Sequence, residues 1–203
     1  MRIYFVRHGE SVANTLRVIS NRELPHPLTD LGCQQSAGLA ESLSHVRWAG
    51  VYASPILRAV QTAEIVTSLF KLPFEVANAL REPDCGVMEG RSDEAAWAEH
   101  QRVLADWLVH EKFDSRIVGG ESHQDVRARF VPFIDRLVTW HGATDDNLLL
   151  IAHGSLLSMM LPEVLINVGL AFAREQPMPN TAVIVAEQQG DRLMGLEWCG
   201  VKI

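Results

Sequence analysis

Two stretches of the 203-residue chain repeat one arrangement of residues that can do chemistry. In YFVRHGES, an apolar run ends at Arg7, His8 and Gly9. In LLIAHGSL, a second apolar run ends at His153 and Gly154. An imidazole can act as a nucleophile, a general base, a metal ligand or a purely structural group, whereas guanidinium groups bind phosphate through paired hydrogen bonds. The repeated arrangement, with Arg7 beside His8, indicates an anion site.

A second arginine lies near the start of a predicted helix. The run VYAS (51–54) leads into a helical pattern over residues 54–70, which places Arg58 in the first turn. A lone cation there is disfavoured by about 0.3–1 kcal/mol, whereas the helix start favours an anion. We therefore interpret Arg58 as half of an anion site rather than as a surface arginine. Two arginines and two histidines favour a phosphoryl group over a carboxylate, because fixed donors stabilise the charge on its oxygens during transfer.

The stretch LREPDCGVMEG (80–90) supplies two carboxylates, Glu82 and Glu89. An alkoxide that leaves phosphorus must be protonated, and a carboxyl group beside a phosphate dianion is favoured in its acid form. Either residue could serve as this general acid, and both could instead be solvated loop carboxylates. The spacing does not choose between them.

Apolar runs predict the elements that position these residues. Helical patterns separate the first three of four runs that are typical of buried strands: 2–6, 51–54, 148–152 and 182–187. The sequence predicts an α/β three-layer sandwich with a mostly parallel central sheet, an antiparallel edge strand at residues 192–199 and helices on both faces. Because ligands bind outside the carboxyl ends of parallel strands, His8 and His153 are expected to point into one crevice.

Four long helices are predicted, at residues 28–43, 54–70, about 93–111 and about 121–140. Thr29 or Asp30 is the expected N-cap of the first of these helices, and Ser54 followed by Pro55 is the expected start of the second. The third carries an apolar stripe that we interpret as core, formed by Trp97, Val103, Leu104, Trp107 and Leu108.

The segment 156–180 is unusually apolar. Core packing is the favoured interpretation, with a pocket wall or a homodimer face as the alternatives. The residues concerned are Met159, Met160, Leu165, Ile166 and Phe172. No long linker divides the chain, so residues 1–203 are expected to form a single domain.

Composition excludes several classes of function. A net charge of -7 without a Lys/Arg run argues against nucleic-acid binding. The absence of a signal peptide and of a long apolar run predicts a cytoplasmic protein that does not bind membranes. The widely spaced Cys33, Cys85 and Cys199 indicate free thiols in a reducing compartment. A metallohydrolase is disfavoured because there is no HExxH-like run and two guanidinium groups would repel a dication.

In their order along the chain, the motifs resemble those of the histidine phosphatase superfamily, in its phosphoglycerate mutase-like branch. The resemblance covers nearly the whole chain. The matching motifs are RHGES followed by Asn14, PLTDLGCQQ (27–35), SPILRAVQTAE (54–64), EPDCGVMEG (82–90), GGES (119–122) and AHG (152–154).

The resemblance implies a role for each matching residue. His8 would be the nucleophile that becomes phosphohistidine, and Glu82 would be the proton donor to the leaving group. Arg7, Arg58 and His153 would hold the phosphoryl oxygens. No metal and no cofactor would take part.

Five further positions are expected to contribute to substrate binding or to the loops around it. The resemblance implies that Asn14 is another phosphate contact, and we place Gly154 in the substrate-binding loop. Gly9 would let the backbone pass close to the substrate. Ser20 stands where the family commonly has Gln and is a candidate contact. Ser155 stands where the family usually has Gly, and it is expected to cap the next helix.

The favoured function is therefore a metal-independent phosphatase that hydrolyses phosphate monoesters of small molecules through a phosphohistidine on His8. Phosphoglycerate mutases carry longer insertions that retain the phosphorylated intermediate, and the shorter chain here favours hydrolysis. Mutase-type phosphoryl transfer and a non-catalytic module that binds phosphorylated ligands are the alternatives.

Overall fold

The computed structural model describes residues 1–22, 24–142 and 144–203, and within them the strands form one seven-stranded sheet. In chain order they are β1 (Arg2–Arg7), β2 (Trp48–Ala53), β3 (Glu75–Val76), β4 (Asn147–Ala152), β5 (Val183–Gln189), β6 (Arg192–Trp198) and β7 (Val201–Lys202). Their spatial order is β3-β2-β4-β1-β5-β6-β7. Strands β1 to β4 are mutually parallel, whereas β5, β6 and β7 each run antiparallel to the preceding neighbour in the sheet. The predicted mostly parallel sheet with an antiparallel edge is confirmed, and the antiparallel part extends over three strands.

The helices pack on both faces of this sheet. They are α1 (Val12–Leu16), α2 (Asp30–Ser42), α3 (Leu57–Phe70), α4 (Glu94–Leu108), α5 (His123–His141), α6 (Gly154–Val164) and α7 (Leu170–Glu175). Two short 3-10 turns, Asn78–Leu80 and Gly86–Met88, lie between β3 and α4. Among the helices described, none is long and apolar enough to cross a membrane.

Alternating strand residues build two hydrophobic cores. Ile3 and Phe5 of β1 face a core that includes residues of α4, α5 and α6. Val6 of the same strand faces the other core, formed with α2 and α3. Both sheet faces are covered, which explains why β1 and β4 are almost continuously apolar.

Two predicted helix starts were tested by the structure. Thr29 caps α2, because its side chain accepts a hydrogen bond from the Gly32 N–H at 3.0 Å. The prediction that Ser54 caps the next helix was wrong. Helix α3 begins at Leu57 with Ile56 as its N-cap. The Ser54 hydroxyl accepts from the Ile56 N–H at 3.3 Å, ahead of the helix, and lies 2.7 Å from His153 Nε2.

The segment that follows β4 divides its apolar residues between core and surface. Met159, Met160 and Leu165 are buried, and Phe172 packs edge to face on Trp198 with ring centres 5.6 Å apart. These four residues support the core-packing interpretation.

Two residues of this segment depart from what was expected of them. Ile166 is exposed rather than packed. The prediction that Ser155 caps the helix was also wrong, because α6 begins at Gly154 and its N-cap is His153.

Candidate active site

A cleft of about 380 Å³ opens where the parallel strands β1 and β4 end. It gathers seven of the residues predicted from the sequence: Arg7, His8, Asn14, Ser20, Arg58, Glu82 and Gly154. His153 is fully buried behind them and does not line the cleft, although its ring centre lies 5.1 Å from that of His8. The two rings are neighbours at the strand ends, as expected, although only His8 contributes surface to the cleft.

The two ring nitrogens of His8 have different partners. Nδ1 lies 2.6 Å from the carbonyl oxygen of Gly9, which can only accept, so this nitrogen carries the proton. Nε2 accepts a hydrogen bond from Arg58 Nε at 2.9 Å, so it keeps its lone pair. The backbone carbonyl thus fixes the tautomer in which Nε2 is the nucleophilic nitrogen.

Burial lowers the pKa of His8 well below its usual value, and the nearby charges of Arg58 and Arg7 lower it further. Burial also lowers the pKa of Arg58 to about 10, which leaves the guanidinium charged at neutral pH. Its Nη1 donates to the Ser20 carbonyl at 2.6 Å, so the side chain is held between that loop and His8. The site therefore pairs a neutral imidazole with a fixed cation.

Arg7 lies on the other side of His8. Its Nη1 donates to the carbonyl of Met178, whereas its buried Nε has no partner among the described residues. A Cβ added at Gly154 would lie 3.3 Å from this Nε, so the missing side chain leaves room for the guanidinium. Arg7 keeps a free donor in the cleft region.

His153 is held by a contact that spacing alone did not suggest. Its Nε2 lies 2.7 Å from the Ser54 hydroxyl, while its buried Nδ1 has no hydrogen-bond partner among the described residues. Burial and the charge of Arg58 lower the pKa of His153 well below its usual value. A buried polar atom without a partner is rare in native proteins, which makes this Nδ1 available to a bound ligand.

The two loop carboxylates have separate positions. Glu82 is buried at the cleft and accepts hydrogen bonds from the N–H groups of Ser155 at 3.0 Å and Leu156 at 2.8 Å, in the first turn of α6. Glu89 lies outside the cleft and accepts from the N–H groups of Asn21 and Cys85, and burial raises its pKa. Of the two candidates left open by spacing, only Glu82 can contact a ligand in the cleft.

Asn14 and Ser20 line the cleft but have their side chains partly engaged. The side-chain amide oxygen of Asn14, Oδ1, accepts from the Ser11 N–H at 3.1 Å. The Ser20 hydroxyl lies 2.8 Å from His26 Nδ1. Ser20 also presents its backbone carbonyl to Arg58. Both residues therefore line the same cleft as His8.

Packing of the backbone requires glycine at position 9. A Cβ at this position would lie 2.5 Å from the Gly32 carbonyl oxygen and 2.8 Å from Ser36 Oγ. Gly9 thus permits close packing of the loop after β1 against α2, and it does not line the cleft.

Sequence reasoning missed three residues of α4 that line the cleft. Trp97, Leu104 and Leu108 were assigned to the core, but they are only half-buried and line the cleft, whereas Val103 and Trp107 are fully in the core. The apolar pattern gave no signal for a cleft, because a face about 100° wide is what a helix that packs on a core ordinarily carries.

The neutral form of His8 leads to a testable prediction. As pH falls from 8 to 6, the ring signals of His8 in an NMR titration of the ligand-free protein are expected to stay constant. The physical reason is that burial and two guanidinium charges oppose protonation of this ring. A His8→Asn variant assigns the signals, and a titration midpoint at or above 6.5 would contradict the prediction.

The cleft, its neutral histidine and its arginines lie within a recognised family fold. The model of the histidine phosphatase superfamily (branch 1) matches residues 3–199, and the chain belongs to this family. The predicted resemblance is confirmed.

Individual relatives include both phosphatases and a mutase. The chain is 32% identical over 187 residues to fructose-2,6-bisphosphatase TIGAR B of Danio rerio, covering 89% of this chain and 68% of that protein. It is 33% identical over 129 residues to a probable phosphoglycerate mutase GpmB of Salmonella paratyphi A, covering 64% and 59%. The mycobacterial glucosyl-3-phosphoglycerate phosphatase structure superposes with a TM-score of 0.82 at 25% identity, covering 98% and 99%. The comparisons support the prediction of a phosphoric monoester hydrolase.

Proposed function

We propose that the protein hydrolyses phosphate monoesters without a metal ion, through a phosphohistidine formed on His8. The observation that carries the proposal is the tautomer of His8, whose Nδ1 proton is bound by the Gly9 carbonyl and whose Nε2 lone pair faces Arg58. A neutral imidazole whose Nε2 carries no proton is a competent nucleophile once the phosphoryl oxygens take over the hydrogen bond that Arg58 donates to this nitrogen. The adjacent guanidinium groups are suited to the oxygens of a phosphoryl group.

In the first step, the Nε2 lone pair of His8 attacks phosphorus in line with the ester oxygen. The phosphorus–oxygen bond breaks, and the leaving oxygen takes a proton from Glu82. Arg7 and Arg58 bind the equatorial oxygens of the phosphoryl group. The Nδ1–H group of His153 donates a further hydrogen bond to these oxygens. Two α6 N–H groups hold the Glu82 carboxyl group in place, and each of its oxygens retains a second lone pair.

In the second step, water attacks the phosphorus of phosphohistidine. Glu82, now a carboxylate, accepts the proton of this water, and the phosphorus–nitrogen bond breaks. The electron pair returns to Nε2 of His8 and inorganic phosphate leaves. The cycle restores the proton on Glu82 and the lone pair on His8.

The relatives support a small phosphorylated molecule as substrate, since their names describe phosphatases and mutases of such compounds. Asn14, Ser20 and Gly154 are proposed as further substrate contacts, because all three line the cleft. A single domain, a cytoplasmic location and a homodimer stay predictions from the sequence.

Phosphoenzyme trapping tests the proposal. In the presence of EDTA, the protein is expected to hydrolyse p-nitrophenyl phosphate. A reaction with ³²P-labelled substrate that is stopped with SDS at alkaline pH is expected to leave acid-labile, base-stable label on the chain. Phosphate and alcohol should form in equal amounts, which distinguishes hydrolysis from transfer to a second substrate. A protein that binds the substrate but yields neither label nor phosphate would contradict the proposal.

A further inference from the structure

The cleft continues beyond the residues that surround the His8 ring. We call this part, away from Arg7, His8, Arg58 and Glu82, the outer cleft. Half of its described lining residues are apolar, among them Trp97, Leu104, Leu108, Met159, Ala173 and Met178, and the other half are polar, charged or glycine. At about 380 Å³, the whole cleft is near the small end of ligand pockets, so beside a phosphate it has room for a ring-sized group.

One wall of the outer cleft is a face of α4. Trp97, Leu104 and Leu108 lie on this face and are each half-buried, so they present apolar surface to the cleft. The Trp97 indole is fixed, because its Nε1 donates to the Arg17 carbonyl at 2.7 Å. This wall is therefore built before any ligand arrives.

A second wall, which we call the methionine wall, comes from α6, α7 and the segment after α7. It is lined by Met159 and Ala173, which are buried, and by Met178, which is half-buried. The unbranched thioether side chains of methionine adapt to the shape of an apolar group and make favourable contacts with aromatic rings. A group bound in the outer cleft would therefore meet apolar side chains from both walls.

Charge in the outer cleft is sparse. Among the described lining residues, Arg174 is the one arginine or lysine outside the set around His8, and it is exposed, with Glu175 at 3.8 Å. His100 also lines this region, but burial lowers its pKa, so it adds no charge at neutral pH. A second phosphate or a carboxylate on the substrate would lose water here without an enclosed cation to compensate.

We propose that the substrate is a phosphate monoester of an alcohol that carries an uncharged apolar ring, held between the α4 wall and the methionine wall. This inference rests on the proposed phosphatase function and narrows its substrate class. Leu104 and Leu108 then determine specificity, because they touch the ring and do not reach the phosphate.

Two alkyl phosphates of similar leaving-group chemistry test the inference. Because 2-phenylethyl phosphate and glycerol 3-phosphate both release simple alcohols, a difference in kcat/KM reports recognition of the alcohol part. We expect kcat/KM to be about tenfold or more higher for 2-phenylethyl phosphate than for glycerol 3-phosphate. A preference for glycerol 3-phosphate or for 3-phosphoglycerate would overturn the inference while leaving the phosphatase function standing, whereas no turnover of any ester would overturn the function itself.

Variants of the α4 wall connect this preference to named residues. Leu104→Ser and Leu108→Ser are each expected to lower the ratio of kcat/KM for 2-phenylethyl phosphate to kcat/KM for glycerol 3-phosphate about fivefold to tenfold. Each variant removes apolar surface that the ring covers. Val109→Ser is the matched control, since Val109 ends the same helix, is exposed and lies outside the cleft. Thermal unfolding shows which variants are folded, and an unchanged ratio in a folded Leu104 or Leu108 variant would overturn the assignment.

Discussion

His8→Ala is expected to lower kcat/KM for p-nitrophenyl phosphate by about 10⁴-fold or more, because the variant cannot form the covalent intermediate. No other described residue presents a neutral nitrogen to Arg58 in this way, since His153 is buried behind the cleft with its Nε2 bound to Ser54. Steady-state kinetics with purified protein, combined with ³²P trapping, measure the loss. Both turnover and label should disappear together.

The matched control is His45→Ala, which removes an exposed histidine outside the described cleft lining. This variant is expected to keep full turnover. The His8→Ala protein should still bind inorganic phosphate, because Arg7 and Arg58 remain. A folded His8→Ala variant with more than a few per cent of normal activity would exclude His8 as the nucleophile.

The second large effect is expected for Glu82→Gln, and its size should depend on the leaving group. With an alkyl phosphate, kcat/KM is expected to fall about 10² to 10⁴-fold, because the departing alkoxide then lacks its proton donor. With p-nitrophenyl phosphate, the loss should be less than about tenfold, since nitrophenolate leaves without protonation. The comparison uses kcat/KM because this parameter reports the step that forms phosphohistidine.

Glu89→Gln provides the control within the same loop. Its carboxylate binds two backbone N–H groups outside the cleft, so this variant is expected to lose about 1–2 kcal/mol of stability and to keep the normal dependence on the leaving group. Urea unfolding and the same two substrates separate these effects. Equal losses for both esters in Glu82→Gln would argue for a positioning role of Glu82 and against proton donation.

The sheet and the inner part of the site follow from local features of the sequence. Continuous apolar runs are typical of strands that are buried on both faces, and parallel strands place their carboxyl ends at one edge. That reasoning was enough to bring His8, Arg7 and Arg58 together. It also predicted the hairpin of β5 and β6, because a short polar turn joins the two strands.

Helix starts and side-chain partners were less accessible from the sequence. Ser54 has the residue type of an N-cap, but its hydroxyl lies 2.7 Å from His153 Nε2 and accepts from the Ile56 N–H, and α3 begins only at Leu57. Ser155 lost its expected role because α6 already begins at Gly154, and Glu82, from a loop 73 residues away, accepts from the N–H groups of its first turn. Local propensity is a weak guide where a distant side chain satisfies the N–H groups that a cap would otherwise bind.

By itself, the sequence determined the family, the order of the elements and the presence of a histidine and arginine site at the strand ends. The tertiary structure decided which of Glu82 and Glu89 reaches the cleft and which ring nitrogen of His8 lacks a proton. It also decided which apolar residues of α4 line the cleft. Each of these depends on contacts between distant segments, such as Glu82 with α6, that no local pattern encodes. Residue type and spacing define what chemistry is available, and only packing determines which atoms meet.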